Sequence, residues 1–325
     1  MRAVYCTQYG SPSVLDVRSV ECPLPKAHEI LVKVHAASIT TADAMMRQGS
    51  PRYARLFLGF KRPRRPITGT GFAGTVVAVG KNVSQFEVGS HVFGETTTNF
   101  GAHAEYVCVP ENGVVLSLPS FLSYEEGALM CDGPVTSLNF LKNLAELKAG
   151  QHILINGASG SLGMAAIQIA KHMGAEVTGV CSRRNLNEII ELGADRVINY
   201  QETDFTSQKQ QYDVVYDTVG KSSYAQCKAI LKPNGRYVSP VLNMKLLYYS
   251  LTTKAGNGKS AKFTATGLSP VHELKKLIIE LLEMIRQQQL KVYIDRAYEI
   301  NQIVEAHEYI DSGHKRGNIV LKLSA

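Results

Sequence analysis

The chain has 325 residues, 45% of them hydrophobic and 19% charged, and a formal net charge of +7. This composition is typical of a globular protein, and the length favours two domains over a single core. The six cysteines never stand at C-x-x-C spacing, so a disulfide framework, a thioredoxin-like motif and a zinc ribbon are all unsupported.

The N-terminal sequence and the distribution of charge bear on the expected cellular location and partners. Residues 1–5 begin a strand-like pattern without the apolar core of a signal peptide, and no run of about 18 apolar residues occurs. We therefore expect a cytoplasmic protein with reduced thiols and no membrane partner. The one tight basic cluster, residues 61–65, is broken by a proline and is interpreted as a solvated loop, so no nucleic-acid partner is expected.

Short β-rich runs separated by glycine, proline and charged turns fill the chain to about residue 125. They predict a compact β domain. The runs are 30–35, 74–80, 91–94 and 104–109.

Past residue 150 strand-like and helix-like segments alternate, which predicts a doubly wound α/β sheet. An amphipathic helix at 271–290 and an apolar strand at 318–323 follow. The simplest arrangement is a β domain made of residues 1–125 and 268–325, interrupted by a nucleotide-binding domain at 126–267. The predicted parallel strands are 152–155, 176–181, 196–199, 213–217, 236–239 and 262–266.

The most informative motif follows the first of these strands and reads Asn156-Gly157-Ala158-Ser159-Gly160-Ser161-Leu162-Gly163. A strand, a glycine turn and a helix N-terminus form an anion site, because the backbone approaches a pyrophosphate and the first helical N–H groups point at it. Ala158 stands where the common fingerprint has its first glycine, so the surrounding βαβ unit carries the prediction. We expect residues 157–163 to bind a dinucleotide.

The residues after the second predicted strand indicate which dinucleotide is bound. NAD sites have an Asp or Glu there for the ribose 2′-hydroxyl, but this chain has Ser182-Arg183-Arg184. Guanidinium groups pair with a 2′-phosphate through charge-assisted hydrogen bonds, so NADPH is predicted over NADH. The alternative is that both arginines point into water. A helix capped by Asn185 and Glu188 is expected next.

An ordered series of further motifs runs along the chain. It includes Ala36-Ala37-Ser38-Ile39-Thr40-Thr41-Ala42-Asp43, and the others are residues 1–4, 69–80, 101–106, 192–200, 212–220 and 312–317. This series resembles the medium-chain dehydrogenase/reductase superfamily, in its zinc-free quinone oxidoreductase branch, which includes zeta-crystallin. The resemblance implies a Rossmann NADPH-binding domain and a GroES-like β-rich catalytic domain.

Zinc alcohol dehydrogenases of this superfamily carry metal ligands that the chain lacks. Their cysteine stands where this chain has Thr40, and their Gly-His-Glu where it has Gly69-Thr70-Gly71. A hydroxyl and a glycine do not replace a thiolate, an imidazole and a carboxylate on zinc, and the four-cysteine structural lobe is missing too. The resemblance therefore implies no metal and no zinc-assisted alcohol oxidation.

The resemblance also assigns site residues. The catalytic candidates are Thr40, which replaces the Asn of the branch, Asp43, which matches it, and Tyr53. Asp43 has the alternative of capping a helix, Thr136 that of bonding its own helix backbone, and Tyr200 that of a half-buried strand end. His103 and Cys131 lack an identifiable partner, so structural roles are expected for them. Together with the glycine turn, the arginine pair and two turns at the sheet edge, the cofactor contacts are Thr136, Gly157, Ala158, Ser159, Gly160, Ser161, Leu162, Gly163, Ser182, Arg183, Arg184, Tyr200, Val219, Ser239 and Arg316.

The absent zinc ligands favour hydride transfer from NADPH to a quinone or to another α,β-unsaturated carbonyl compound. A donor such as the Thr40 hydroxyl or a backbone N–H would stabilise the developing enolate, and Tyr53 or water would return the proton. The alternatives are reduction of saturated ketones or aldehydes, and a non-catalytic NADPH-binding protein of the crystallin kind.

Assembly is suggested by the same resemblance. The family often dimerises by extending its nucleotide-domain sheet, so residues 262–266 are expected at the interface of a homodimer. The loop 244–259 is interpreted as either a flap over the substrate or part of the dimer contact.

Overall fold

The computed structural model describes residues 1–254, 256 and 258–323. Within these residues the strands are β1 (Arg2–Cys6), β2 (Leu15–Ser19), β3 (Glu29–Ile39), β4 (Gly71–Val79), β5 (His91–Glu95), β6 (Tyr106–Pro110), β7 (Val114–Ser117), β8 (His152–Asn156), β9 (Glu176–Cys181), β10 (Arg196–Asn199), β11 (Tyr212–Asp217), β12 (Leu231–Val238), β13 (Ser260–Lys262), β14 (Ile294–Glu299) and β15 (Asn318–Lys322). The helices are α1 (Thr41–Gln48), α2 (Arg55–Leu58), α3 (Tyr124–Leu129), α4 (Gly133–Leu138), α5 (Ser161–His172), α6 (Leu186–Glu191), α7 (Tyr224–Cys227), α8 (Met244–Thr252), α9 (Val271–Arg286) and α10 (Ile303–Asp311).

The chain divides into two units. The first contains Met1–Asp132, Pro270–Ile278 and the chain from Ile294 onward, and the second contains Gly133–Ser269 and Ile279–Tyr293. Both ends of the chain therefore contribute to the first unit.

The first unit is built on a sheet ordered β14-β15-β3-β4-β5-β7, with β6 also paired to β3 and a separate β1-β2 ribbon. Strand β3 is central because its eleven residues are almost continuously buried and pair with β4, β6 and β15. Its apolar side chains pack with those of helix α10 in one core, which includes Ile30, Val32, Ile303 and Ile310.

The second unit contains a parallel sheet ordered β10-β9-β8-β11-β12-β13. Numbered from β8, this order is 3-2-1-4-5-6, the doubly wound arrangement in which ligands bind at the carboxyl edge where the winding reverses. That point lies between β8 and β11. The predicted α/β fold, a Rossmann sheet plus a β-rich domain, is confirmed.

Three local predictions were wrong. The sixth parallel strand is Ser260–Lys262 rather than 262–266, because β12 offers partners only from Arg236 to Val238. The segment 244–252 is helix α8 rather than loop, since the Asn243 side chain accepts from the Leu246 N–H at 2.9 Å and caps it. Ala255 and Asn257 of the predicted loop lie outside the described residues.

The third error concerns the helix after β9. Asn185 makes no capping hydrogen bond, and α6 begins only after a 3₁₀ turn at Arg183–Asn185. The Asn185 amide instead donates to Ser182 Oγ at 3.3 Å.

Among the described residues, no helix combines the length and the apolar character needed to cross a membrane.

Candidate active site

The glycine turn connects β8 to α5 in the second unit, and two of its glycines have no room for a side chain. Gly157 has a φ of +81°, and a Cβ there would lie 2.3 Å from Val219 Cγ2. A Cβ on Gly163 would lie 2.2 Å from the carbonyl oxygen of Gly157. Gly157 therefore lets the turn pack against the residues that follow β11, and Gly163 lets the first turn of α5 pack against the glycine turn itself.

Ala158 occupies the position of the fingerprint's first glycine and is fully buried. The adjacent strand β9 has Gly179 opposite it, and a Cβ at 179 would lie 3.1 Å from the Cβ of Ala158. The methyl group thus uses space that a glycine on the neighbouring strand leaves open.

Helix α5 has no side-chain cap at its N-terminus. Its N-cap is Gly160, without a side-chain cap, and the Met164 N–H donates to the Gly160 carbonyl at 2.9 Å. The N–H groups of the first turn have no acceptor within the helix, and the helix dipole adds positive potential there. A Cβ on Gly160 would meet only one atom, at 3.5 Å, so an anion can approach.

Asp217, at the end of β11, organises the turn beside this helix. Its fully buried carboxylate accepts the N–H groups of Val219 at 3.2 Å and Gly220 at 3.0 Å. It also accepts from Asn156 Nδ2 at 2.9 Å, the Tyr237 hydroxyl at 2.9 Å, and the N–H and hydroxyl of Ser222 at 3.1 and 2.7 Å. Burial and this carboxylate raise the pKa of Tyr237. The position of Val219 is thereby fixed.

The arginine pair lies at the carboxyl end of β9. Arg183 and Arg184 are both exposed, and the Arg183 N–H donates to Gln201 Oε1 at 3.2 Å. Tyr200, 56% exposed, follows β10, and its N–H donates to the Cys181 carbonyl at 3.2 Å. Tyr200 and the arginine pair thus flank adjacent strand ends.

Two further predicted contacts lie in the second unit. Ser239 is fully buried after β12, and its hydroxyl oxygen accepts the Val241 N–H at 3.2 Å. Thr136 is half-buried on α4, which packs on α5 where the Ser137 hydroxyl donates to the Leu162 carbonyl at 2.8 Å. The predicted cofactor contacts from Thr136 to Ser239 therefore all lie in the second unit. Arg316 belongs to the first unit, where its N–H donates to Asp295 Oδ2 at 2.7 Å.

Thr40 and Asp43 form a capping box at the start of α1 in the first unit. The Thr40 N–H and hydroxyl donate to Asp43 Oδ2 at 2.8 and 2.7 Å, and the Asp43 N–H donates back to Thr40 Oγ1 at 3.1 Å. Both residues are buried. The helix-cap alternative for Asp43 is realised, and the Thr40 hydroxyl proton is committed to Asp43.

The other first-unit candidates have separate surroundings. Tyr53 lies on a 3₁₀ turn, is 38% exposed, and has its pKa raised by partial burial. His103 is fully buried: Nε2 lies 2.8 Å from the Ser38 carbonyl and Nδ1 lies 2.8 Å from the Thr68 hydroxyl. Burial raises the pKa of Cys131 well above its ordinary value, so its thiol stays protonated.

An acidic group around Asp43 was missed by the sequence reasoning. Glu95 ends β5 and is in register with Gly71 on β4, so the two residues share a face of the sheet. Burial, together with the charges of Asp132 and Asp43, raises the pKa of Glu95 to about 8. Lys315 is the cation acting on Asp132, whose own pKa is raised by burial. Positions so far apart in sequence gave no signal.

A cavity of about 250 Å³ lies in the first unit and includes Asp43 in its wall. Apolar side chains and arginines make up most of the remainder. The lining residues are Cys6, Asp43, Met46, Arg47, Phe57, Leu58, Pro63, Arg64, Arg65, Thr68, Gly69, Thr98 and Phe100.

The residues where zinc relatives bind metal do not fit a metal here. Thr40 and Thr70 offer only hydroxyl groups, and the Thr40 hydroxyl donates to Asp43 Oδ2 at 2.7 Å. A Cβ on Gly71 would lie 2.5 Å from Ser38 Oγ. Within the part of the chain that the structure describes, no three His, Cys, Asp or Glu side chains are grouped to hold an ion.

The chain matches two family descriptions, "Alcohol dehydrogenase GroES-like domain" over residues 26–120 and "Zinc-binding dehydrogenase" over residues 192–321. Human quinone oxidoreductase is 29% identical over 333 residues, which cover 99% of this chain and 98% of that protein.

Two solved structures are similar over their whole length. The quinone oxidoreductase of Coxiella burnetii has a TM-score of 0.88 at 30% identity, covering 100% of this chain and 99% of its own. The Escherichia coli quinone oxidoreductase complexed with NADPH has a TM-score of 0.86 at 24% identity, covering 99% and 100%. The chain is an oxidoreductase that belongs to the medium-chain dehydrogenase/reductase superfamily, in its quinone oxidoreductase-like branch.

Proposed function

We propose that this oxidoreductase transfers hydride from NADPH, without zinc, to a quinone or to another α,β-unsaturated carbonyl compound. The observation that carries the proposal is the pairing of a dinucleotide cradle in the second unit with a first unit whose zinc-ligand positions hold Thr40, Thr70 and Gly71. The names of the human and Coxiella relatives support a quinone as acceptor.

The cradle fits a dinucleotide because a Cβ at Gly160 would meet only one atom, at 3.5 Å, and the uncapped start of α5 presents backbone N–H groups where a pyrophosphate binds. When bound, NADPH supplies the hydride. Arg183 and Arg184 would hold the 2′-phosphate, which favours NADPH over NADH. Thr136, Val219 and Ser239 would orient the nicotinamide half. Val219 follows β11 at the switch point, Ser239 follows the next strand β12, and Thr136 lies on α4, which packs on α5.

The acceptor's chemistry removes the need for a metal. Hydride addition to a conjugated carbonyl compound delocalises the negative charge onto a carbonyl oxygen, where hydrogen-bond donors stabilise it. Because the Thr40 hydroxyl donates to Asp43, Thr40 acts by positioning Asp43 rather than as that donor. The proton returns from Tyr53 or from water.

The test is steady-state oxidation of NADPH with menadione, cyclohexenone and cyclohexanone, before and after dialysis against a chelator. We expect turnover of the two conjugated acceptors, no turnover of the saturated ketone, and no loss after chelation. Turnover of cyclohexanone alone would establish a ketone reductase instead. Tight NADPH binding with no oxidation by a broad panel of quinones and enones would establish a non-catalytic binding protein.

We further propose a cytoplasmic homodimer. Strand β13 is at the edge of the parallel sheet and pairs with β12 on one side, and an edge strand offers backbone groups for pairing with a second copy. Size-exclusion chromatography with light scattering checks the assembly, and a monomer at micromolar concentration would contradict it.

A further inference from the structure

The cavity of the first unit is rich in positive charge. Its charged lining residues are Asp43, Arg47, Arg64 and Arg65. The acidic residues Glu95 and Asp132 act beside Asp43, but no Asp or Glu occurs in the chain between Asp43 and Glu87, the stretch that carries Arg64 and Arg65. An anionic group beside Arg64 and Arg65 would therefore meet a favourable potential.

The side chains of Asp43 and Arg47 already form hydrogen bonds within the protein. Asp43 Oδ2 accepts the two hydrogen bonds from Thr40. Arg47 is fully buried, pairs with Asp311 at 2.6 Å, and donates to the Gly10 carbonyl at 2.6 Å and to His307 Nδ1 at 3.3 Å. Arg47 is therefore not free to bind an anionic ligand. Asp43 Oδ1 has no hydrogen-bond partner among the described residues, but a carboxylate oxygen does not attract an anion.

Arg64 and Arg65 differ from these two. Both are exposed, and among the described residues neither guanidinium lies within ion-pair distance of a carboxylate. The loop that carries them is anchored at its start, where the Arg64 N–H donates to the Leu58 carbonyl at 2.8 Å. Two unpaired guanidinium groups thus border the cavity from a loop with a fixed backbone contact.

The rest of the wall is mostly apolar, with Thr68 and Thr98 as its uncharged polar side chains, and suits a ring. Met46, Phe57, Leu58 and Phe100 line it, and Phe57 keeps 81% of its surface exposed. A pocket of mostly apolar lining with a few polar groups is typical of a small-molecule site, in which the polar groups select the ligand.

We propose that this cavity takes an acceptor that carries an anionic group, a carboxylate, sulfonate or phosphate, in addition to its conjugated carbonyl, and that Arg64 and Arg65 bind that group. The inference rests on the proposed function and names the acceptor class. The planar guanidinium fork matches such oxyanions through charge-assisted, bidentate hydrogen bonds.

The experiment compares menadione with naphthoquinone sulfonate, an anionic analogue with the same ring system. The variants are Arg64→Gln, Arg65→Gln and the double variant, and the matched control is Arg62→Gln, an exposed arginine of the same loop outside the cavity wall. In the double variant we expect the ratio of kcat/KM for the sulfonate to that for menadione to fall about tenfold. Added salt should lower the same ratio in the wild type.

An unchanged ratio in the double variant, or an equal fall in Arg62→Gln, overturns the inference and supports a solvated loop. If the wild type oxidises NADPH with neither quinone, the proposed function fails. In that case the inference is tested by measuring the binding of naphthalene sulfonate by calorimetry. Binding about tenfold weaker in the double variant than in the wild type supports the inference, and equal binding overturns it.

Discussion

The methyl group of Ala158 is accommodated by the missing side chain of Gly179. A Cβ at residue 179 would lie 3.1 Å from the Cβ of Ala158 and 2.7 Å from Cγ2 of Ile189. A glycine turn with alanine in its first glycine position is therefore compatible with close packing, because the second strand of the sheet supplies the space.

Gly179→Ala is expected to destabilise the second unit by about 1–3 kcal/mol, the usual cost of overpacking a filled interior. The branched Ile189 side chain cannot move away by rotating a distant end. Urea unfolding gives the free energy. The double variant Ala158→Gly with Gly179→Ala should recover part of the loss, and a Gly179→Ala protein as stable as the wild type would refute the packing relationship.

Arg183→Glu should weaken NADPH binding much more than NADH binding, since only NADPH carries the 2′-phosphate. A charge-assisted hydrogen bond contributes about 1.5–3 kcal/mol, so neutralisation by Arg183→Gln should raise the Kd for NADPH roughly tenfold to a hundredfold. Fluorescence titration with both cofactors measures it. The matched control is Arg196→Gln, an exposed arginine at the opposite end of the neighbouring strand β10. Equal losses of affinity for NADPH and NADH would contradict the assignment of Arg183 to the 2′-phosphate.

Asp217→Ala should be among the most destabilising changes in the second unit, by about 3–5 kcal/mol, because it leaves several buried donors without an acceptor. The turn that holds Val219 should loosen, and the NADPH affinity should fall with it. Asp213→Ala is the control on the same strand: it accepts from the His152 N–H and Lys232 Nζ, each at 2.8 Å, and is partly exposed. Similar losses for the two variants would show that Asp217 has no special role.

The parallel sheet could be predicted from the sequence because apolar strand-like runs and helix-like segments alternate from residue 152 onward. Each strand is recognisable from its own local run of apolar residues. The bounds of strand β13 could not be predicted, because they are set by the residues of β12 that pair with it. The same limit applies to the first unit. Asp43, Glu95, Asp132 and Lys315 lie on four segments that are far apart in sequence and interact only in the folded unit. No local spacing in the sequence indicates this.

Thr40→Ala is expected to cost about 1 kcal/mol of stability through loss of the helix cap and to lower kcat by releasing the Asp43 carboxylate. Thr40→Ser retains the hydroxyl and should restore both. Thermal unfolding and NADPH oxidation separate the effects. A Thr40→Ala protein that loses stability with unchanged kcat would confine this residue to a capping role.

Glu95 should make the protein less stable as the pH rises. The folded protein holds the proton of this carboxyl up to its raised pKa of about 8, whereas the unfolded chain releases it near the ordinary pKa of about 4.3. Between these values the native state binds more protons, so the free energy of unfolding falls with pH, by at most about 1.4 kcal/mol per pH unit from this group.

Glu95→Gln removes this dependence, because the amide stays neutral. The variant should gain stability over the wild type steadily from about pH 5 to about pH 8, as measured by urea unfolding at several pH values. Glu111→Gln is a control of opposite sign: Glu111 accepts the Ser84 and Gln85 N–H groups at 2.9 and 3.0 Å, which lowers its pKa. Glu111 stabilises the fold above its unfolded pKa, so its replacement should cost stability at neutral pH and less in acid. Parallel curves for Glu95→Gln and the wild type would show that the Glu95 carboxyl is ionised in the folded protein at neutral pH.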